Sequence, residues 1–236
     1  MAKAVGIIGS LTGKIGNAVY RVRRGEQIAS VYQPNVNNPK SKRQQFSRAK
    51  MKLAVNVLKP FLMPLELGWS LNHPSYEFQA GVGKAIPLNN GVITGGSPDA
   101  LEVVPAELAK CLSDPIMAAP MVSGLSFSEA SEVDFSVGLI PQYFDGTDVD
   151  HSQVGVVGIV YNADVNEVVV EQVIGSSSSC DVAVEVPARW SGNEVHVYAF
   201  VKQLPVAVNG ISASALPWRF PARTSACVYV GNGTIS

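Results

Sequence analysis

Positively charged side chains are concentrated near the start of the sequence, where they could bind phosphates or an acidic protein surface. Residues 1–59 contain twelve Lys or Arg and one acid, Glu26, whereas residues 60–236 contain six Lys or Arg and eighteen acids. The whole chain nevertheless has a net charge of -1. Such a division indicates an anionic partner for the basic part: nucleic acid, a membrane surface, or the acidic body of a neighbouring copy.

Nine basic residues are the candidate contacts to nucleic acid or to a neighbouring subunit. Aromatic side chains between them are few, namely Tyr20, Tyr32 and Phe46, so base stacking and sequence reading are not predicted. Any nucleic-acid binding, to DNA or RNA, should therefore be non-specific. The nine candidates are Lys14, Arg21, Arg23, Arg24, Lys40, Lys42, Arg43, Arg48 and Lys52.

Residues typical of catalysis or metal binding do not form a recognisable constellation. His73, His151 and His196 have no metal-ligand spacing to one another or to cysteine, and His196 is predicted to be a structural strand residue. No GxSxG elbow is present. The acidic run 145–151 lacks the EF-hand spacing and is predicted to be a solvated loop. We therefore expect no enzyme activity, no metal and no cofactor.

A glycine-rich stretch at the N-terminus, with Gly6, Gly9, Gly13 and Gly16, is interpreted as an extended, adaptable arm. The run GSLTGK at 9–14 is one residue short of a phosphate-binding Walker motif, and the arm is the preferred interpretation.

The cellular compartment is indicated by cysteine usage and hydropathy. Three cysteines, Cys111, Cys180 and Cys227, form no CxxC pair and imply no disulfide framework, which favours a reducing compartment. The N-terminus does not have the pattern of a signal peptide, and no apolar run approaches the ~20 residues that cross a bilayer. We expect synthesis in a cytoplasm and no membrane partner.

The basic region should contain a β-hairpin followed by a helix. Residues 18–32 alternate in polarity, and Gly25-Glu26 could form a two-residue turn that pairs Tyr20 with Val31. One face of the hairpin is then mainly apolar, and the other carries Arg21 and Arg23. The apolar face should pack on something, because an isolated hairpin is marginally stable in water.

A helix is predicted after the polar linker 33–39. Either Asn38 followed by Pro39, or a capping box of Ser41 with Gln44, would start it. Apolar residues recur at helical spacing up to Leu58, and Pro60 should end the helix at Leu58 or Lys59. Arg48, Lys52 and Lys59 fall on one face.

From about residue 122 the sequence alternates short β-prone runs with turns, which is typical of an immunoglobulin-like antiparallel β-sandwich. Within the preceding segment, 101–104 could form a strand and 105–112 one or two helical turns. Seven strands are expected: 119–127, 133–140, 154–161, 167–173, 180–186, 194–202 and 225–230.

The predicted fold is therefore mainly β: an immunoglobulin-like antiparallel β-sandwich preceded by a basic N-terminal β-hairpin arm and one amphipathic α-helix. The expected domains are the arm with its hairpin and helix at 1–63, a connecting segment at 64–118, and the sandwich at 119–236.

The N-terminal motifs resemble those of an uncharacterised family found in Bacteroidetes bacteria and their phages. That family's pattern G-x-x-G-N-x-V is matched by Gly13, Gly16, Asn17 and Val19. Its helix-opening pattern N-P-x-T-x-x-Q-x-x-x-R is matched by Asn38, Pro39, Gln44 and Arg48, with Ser41 in place of Thr.

The central run AIPLNNGVITGG and the ending NEVHVYAFV…TSACVYVG are also similar to this family, apart from a long insertion at 205–221. The resemblance implies the fold and a phage-associated context, but no activity and no catalytic residues.

Three function hypotheses follow. The first is a non-enzymatic, self-assembling virion protein, assembled in the host cytoplasm, whose basic arm contacts neighbouring subunits, other virion proteins or packaged nucleic acid. The second is a non-specific nucleic-acid-binding accessory protein of the bacterial cytoplasm. The third is a surface-recognition module whose sandwich loops bind sugar or protein.

Overall fold

The protein forms two compact units, residues 1–44 and 45–236, which are described separately. The second unit contains the sandwich together with most of the predicted helix, from residue 45 onwards. It also contains the segment 64–118, which was expected to be a connection. The computed structural model describes residues 2–3, 12–23, 26–32, 40–69, 91–113, 116–128, 131–140, 154–175, 178–203 and 223–235.

The N-terminal unit contains a four-stranded antiparallel sheet, so the expected hairpin is confirmed and extended by two short strands. Its strand order is β1-β4-β3-β2. The four strands are β1 (Ala2–Lys3), β2 (Gly13–Ile15), β3 (Ala18–Arg23) and β4 (Glu26–Val31).

The register of the central hairpin differs from the predicted one by two residues. Tyr20 pairs with Ala29 rather than with Val31, and Arg23 pairs with Glu26. The two residues that connect the strands, Arg24 and Gly25, lie outside the described residues. A shift of two leaves every residue on its predicted face, because side chains alternate with a period of two.

The helix α1 (Lys42–Leu58) confirms both predicted ends. The backbone N–H of Gln44 donates to the Ser41 hydroxyl over 3.3 Å, which is the capping contact expected of Ser41. The alternative cap, Asn38 with Pro39, lies outside the described residues. Ala54, Val57 and Leu58 form the buried side of the helix.

The body is a sandwich of a three-stranded and a four-stranded antiparallel sheet, and all seven predicted strands are confirmed. The strands are β7 (Met121–Ser128), β8 (Glu132–Gly138), β9 (Val154–Asn162), β10 (Glu167–Gly175), β11 (Ser179–Glu185), β12 (Glu194–Gln203) and β13 (Val228–Thr234). Their order is β11-β8-β7 in the smaller sheet and β10-β9-β12-β13 in the larger one. Because β10 pairs with β9, the fourth strand of the sandwich belongs to the larger sheet, unlike the constant-type immunoglobulin arrangement.

The space between the two sheets is filled by branched and aromatic side chains. Val133 and Phe135 of β8 pack there with Val156 and Val160 of β9 and with Trp190, all essentially buried. Gly158 of β9 lies so close to the opposite sheet that an added Cβ would be 2.8 Å from a methyl group of Val182.

A layer of helices covers the outer face of the four-stranded sheet, where the sequence predicted one helix and a connection. Besides α1 the layer contains α2 (Leu62–Gly68) and α3 (Pro105–Leu112), the second of which confirms the expected turns at 105–112. Two short strands, β5 (Ile93–Thr94) and β6 (Glu102–Val103), pair before α3. Phe61, Leu65, Leu108 and Leu112 are among the helix-layer residues buried against the sheet, where they meet Tyr198 and Phe200 of β12.

Buried hydrogen bonds fasten this layer to the sheet. The ammonium Nζ of Lys202, on β12, donates to the Leu67 carbonyl over 3.3 Å, and Thr224 Oγ1 donates to the Gly68 carbonyl over 3.0 Å. Lys202 is 1 % exposed, and burial lowers its pKa to about 8, against the opposing influence of Glu66. The body therefore buries an amine whose protonation is unfavourable.

Replacing Lys202 by Met should stabilise the body near neutral pH. The folded state binds fewer protons than the unfolded state between pH 8 and about 10.5, so the lysine's contribution to stability rises with pH in that window. Below pH 8 the buried charge of Lys202 lowers the free energy of unfolding of the wild type by roughly 3 kcal/mol. Lys202→Met removes this cost but also loses a hydrogen bond that contributes ~1 kcal/mol. Urea unfolding across this pH range should show the difference between wild type and Lys202→Met shrinking as pH rises. Exposed Lys110→Met is the control, and a difference independent of pH would contradict the assignment.

Candidate functional site

The two faces of the N-terminal sheet have opposite character, which follows from the register. Ile15, Ala18 and Val31 are cross-strand neighbours on one face, and Tyr20 with Ala29 and Val22 continue it. We call these six residues the apolar face. Lys14, Arg21 and Tyr32 lie on the opposite side, which we call the basic face, and the register positions of Lys3 and Arg23 fall on it too.

The basic face positions its cations with local contacts. Lys14 Nζ lies 3.5 Å from the centre of the Tyr32 ring, a cation–π arrangement. Arg21 Nη2 approaches the Ser30 hydroxyl at 3.5 Å, and that hydroxyl donates to the Val19 carbonyl over 3.4 Å. Lys14 and Arg21 are both exposed. The face can therefore present two located positive charges to a ligand.

Three of the six residues of the apolar face are exposed, and Ala18, Tyr20 and Ala29 are half-buried. Ile15 is 56 % exposed, Val22 42 % and Val31 77 %. The described residues of this unit form no second sheet that could pack against it. A single sheet with one bare apolar face lacks the second layer that stable domains use.

The start of α1 adds more positive charge. Lys40, Lys42 and Arg43 are exposed, and the first turn of the helix contains no acid. The positive end of the helix dipole lies at this terminus, so the cations are placed where they destabilise the helix. An anion bound here would offset that cost.

The remaining candidates lie along the helix or outside the described residues. Arg48 and Lys52 are exposed on the side of α1 away from its buried residues, together with Lys59, as the spacing predicted. Arg24 is outside the described residues. The structure thus brings Lys14 and Arg21 onto one sheet face, with Arg23 by register, and groups Lys40, Lys42 and Arg43 around the start of the helix.

One open pocket of about 300 Å³ lies on the body, beside the start of β10. Its lining includes Glu167, which accepts hydrogen bonds from Arg189 over 2.6 Å and from Trp190 over 3.0 Å. These bonds lower the pKa of Glu167, so it is a poor proton donor near neutral pH. Pro60 and Pro187 also line the pocket.

The other residue types that could take part in catalysis or metal binding form no site among the described residues. His196 is buried in β12, as expected of a strand residue, and its Nδ1 lies 3.2 Å from the Tyr229 hydroxyl. Burial lowers its pKa. Gly13 and Lys14, the end of the near-Walker run, belong to a strand. Among the described residues no cluster of metal-ligating side chains occurs. His73, His151 and the acidic run 145–151 lie outside them.

The three cysteines are unbridged, and burial raises the pKa of Cys111 to about 11. Across the described ranges no helix has both the length and the apolar character needed to cross a bilayer.

Comparison with family models identifies the sequence class. A model described as a family of unknown function (DUF6266) matches residues 10–211. The chain belongs to the DUF6266 family. Curated proteins and solved structures gave no match. The DUF6266 match contains β2 to β12, so it spans parts of both units. Membership of an uncharacterised family is thereby confirmed, whereas the link to Bacteroidetes and their phages stays a prediction.

The place of Tyr32 on the basic face of this DUF6266 chain was not predicted from the sequence. The alternation of side chains along β4 was the available signal, because Tyr32 is an even number of residues from Ile28 and Ser30 and therefore lies on their side of the sheet. Pairing with the arm's own β2 strand, which was not foreseen, is what brings Lys14 onto the same face.

Exchanging charge at the start of α1 should stabilise the helix. Arg43→Glu replaces an unfavourable cation near the positive helix terminus by a favourable anion, which should raise the free energy of unfolding by about 0.5–1 kcal/mol at low salt. Lys59→Glu makes the same charge change at the opposite terminus and should lower it. Urea unfolding followed by circular dichroism measures both. Shifts of equal sign would show that net charge, not the helix dipole, governs the effect.

Proposed function

We propose that this DUF6266 protein is a non-enzymatic structural protein that assembles with copies of itself, and that it is a component of a phage virion. The observation that carries the proposal is the exposure of Ile15, Val22 and Val31 on the apolar face of the N-terminal sheet. We propose that this face packs against the body of a neighbouring copy, so that each chain donates its N-terminal unit to the next.

The size of the apolar face favours many weak contacts over one tight dimer. Full burial of one Val or Ile side chain contributes about 1.5–3 kcal/mol. Burying the exposed parts of Ile15, Val22 and Val31 would therefore supply on the order of 3–5 kcal/mol, close to a millimolar contact before other terms are added. Contacts of that strength become effective when they repeat, as in a shell or filament.

The charges of the two units support head-to-tail association. Residues 1–44 contain eight Lys or Arg and one acid, whereas residues 45–236 contain ten and eighteen respectively. The first unit of one copy is therefore attracted to the body of another, at a range that salt limits to about 10 Å. A contact of unlike surfaces extends into rings or filaments, as assembly proteins require.

The virion assignment has separate support. It rests on the phage-associated context of the resembled sequences, on the combination of a β-sandwich body with a basic N-terminal extension, and on the absence of a catalytic constellation in the described residues. On this proposal the protein assembles in the host cytoplasm and remains in the particle.

Changing one exposed valine should separate assembly from folding. Val31→Asp places a charge on the apolar face at a residue that is 77 % exposed, so the fold should tolerate it while the contact weakens about 10- to 100-fold. Val165→Asp makes the same change at an exposed valine of the body and is the matched control. Sedimentation velocity over a concentration series should show large species for wild type and Val165→Asp, and monomer for Val31→Asp.

High salt provides a second arm for this test. Assembly through the apolar face should persist when charge attraction is screened. A wild-type protein that stays monomeric at all concentrations and salt levels would overturn the proposed function, as would assembly that Val31→Asp leaves unchanged.

A further inference from the structure

The side of the N-terminal sheet opposite the apolar face is not buried by the contact between copies proposed above, although its charge contributes to the attraction between them. We infer that this basic face binds nucleic acid through its phosphate backbone, with Lys14 and Arg21 as contact residues and Tyr32 as the residue that positions Lys14. The inference does not need assembly: it concerns the other face of the same sheet and would hold for a single chain.

Most charged positions of this face are basic. Lys14 and Arg21 are exposed, and the register adds the positions of Lys3 and Arg23 against one acidic position, that of Glu26. An ordinary solvent-exposed face mixes both signs. Four basic positions against one acidic position on a compact unit instead match the electrostatic footprint of phosphate binding.

The spacing of the two located cations suits a polyanion. Lys14 is opposite Val19, and Arg21 lies two residues farther along β3. Neighbouring strands are ~4.8 Å apart and alternate residues of a strand ~6.7 Å apart, so the two backbone positions are separated by roughly 8 Å. That separation is large enough for the two cations to contact different phosphates of one strand.

Tyr32 makes Lys14 a better phosphate ligand than a free surface lysine. The ammonium lies 3.5 Å above the ring, and an ion held over an aromatic face loses less freedom when it binds. The residue Tyr32 as a whole remains 38 % exposed. The face offers charges and few hydrogen-bonding side chains, so we assign it sequence-independent binding.

The cations at the start of α1 belong to the same compact unit up to residue 44 and have the same electrostatic character. Lys42 and Arg43 oppose the helix dipole, a cost that bound phosphate would remove. They strengthen the case for an anionic ligand of this unit but do not define its position on the sheet.

The test compares charge-neutralising variants within the Val31→Asp background, so that assembly does not change the result. Fluorescence anisotropy of a labelled oligothymidylate would be measured over a salt series. Lys14→Gln with Arg21→Gln should weaken binding at least tenfold and reduce the slope of log affinity against log salt by about 0.7 for each lost contact. Lys52→Gln with Lys59→Gln removes the same charge from the exposed side of α1 and should change affinity less than threefold.

Tyr32 supplies an independent readout. Tyr32→Leu should weaken binding about two- to fivefold with the salt slope nearly unchanged, because the cation remains but is no longer held. Tyr32→Phe keeps the ring and should bind like the parent.

Three results would overturn the inference. One is that the parent does not bind the oligonucleotide at low salt. Another is an equal loss from the sheet and helix variants, which would indicate diffuse attraction. The third is that Lys14→Gln with Arg21→Gln, in the wild-type background, abolishes assembly while oligonucleotide affinity is unchanged. In that case the acidic body of the next copy occupies the basic face, and the proposed self-assembly stands without nucleic-acid binding.

Discussion

A β-sheet keeps an apolar face out of water only when another layer covers it, and this constraint governs both units of the protein. In the body the four-stranded sheet is apolar on both faces and is covered on both, by the three-stranded sheet on one side and by the helices on the other. In the N-terminal unit a smaller sheet has one apolar and one basic face, and its described residues form no second layer. The body therefore satisfies the constraint within one chain. Covering the N-terminal sheet is the role that we propose for a neighbouring copy.

The same difference explains where the polar groups of the two units lie. In the body, polar side chains at the helix–sheet junction are buried and satisfied locally: Lys202 donates to the Leu67 carbonyl, and the indole N–H of Trp69 donates to the Cys111 carbonyl over 3.0 Å. Such contacts fix the helix layer on the sheet. In the N-terminal unit the described cations Lys14 and Arg21 are exposed instead, with Lys14 held over Tyr32. Their exposure is what the proposed binding role of this unit depends on.

Much of this architecture could be predicted from the sequence because period-two and helical patterns report faces directly. The seven sandwich strands, the Ser41 start of α1 and the two faces of the hairpin were all predicted. The predicted register of the hairpin was shifted by two residues. The pattern of polarity cannot distinguish the two alignments, because both keep the same residues on the same faces. The helix layer was missed, although β9 carries a signal for it: the run VGVVGIVYN has no polar alternation, as expected of a strand buried on both sides. Helix α2 was not predicted because it is short and contains Pro64. Tertiary packing stabilises it. The candidate cations were individually evident, but the pairing of β2 with β3 that gathers them depends on contacts distant in sequence.

Hydrogen–deuterium exchange of the full-length protein as a function of its concentration tests the central claim most directly. If the apolar face of the N-terminal sheet is covered by a neighbouring copy, the amides of β3 and β4 should exchange more slowly as concentration rises, while those of β9, covered within its own chain, should not change. Protection of β3 and β4 that is strong and independent of concentration would contradict the claim, because it would show that the layer over this sheet comes from the same chain.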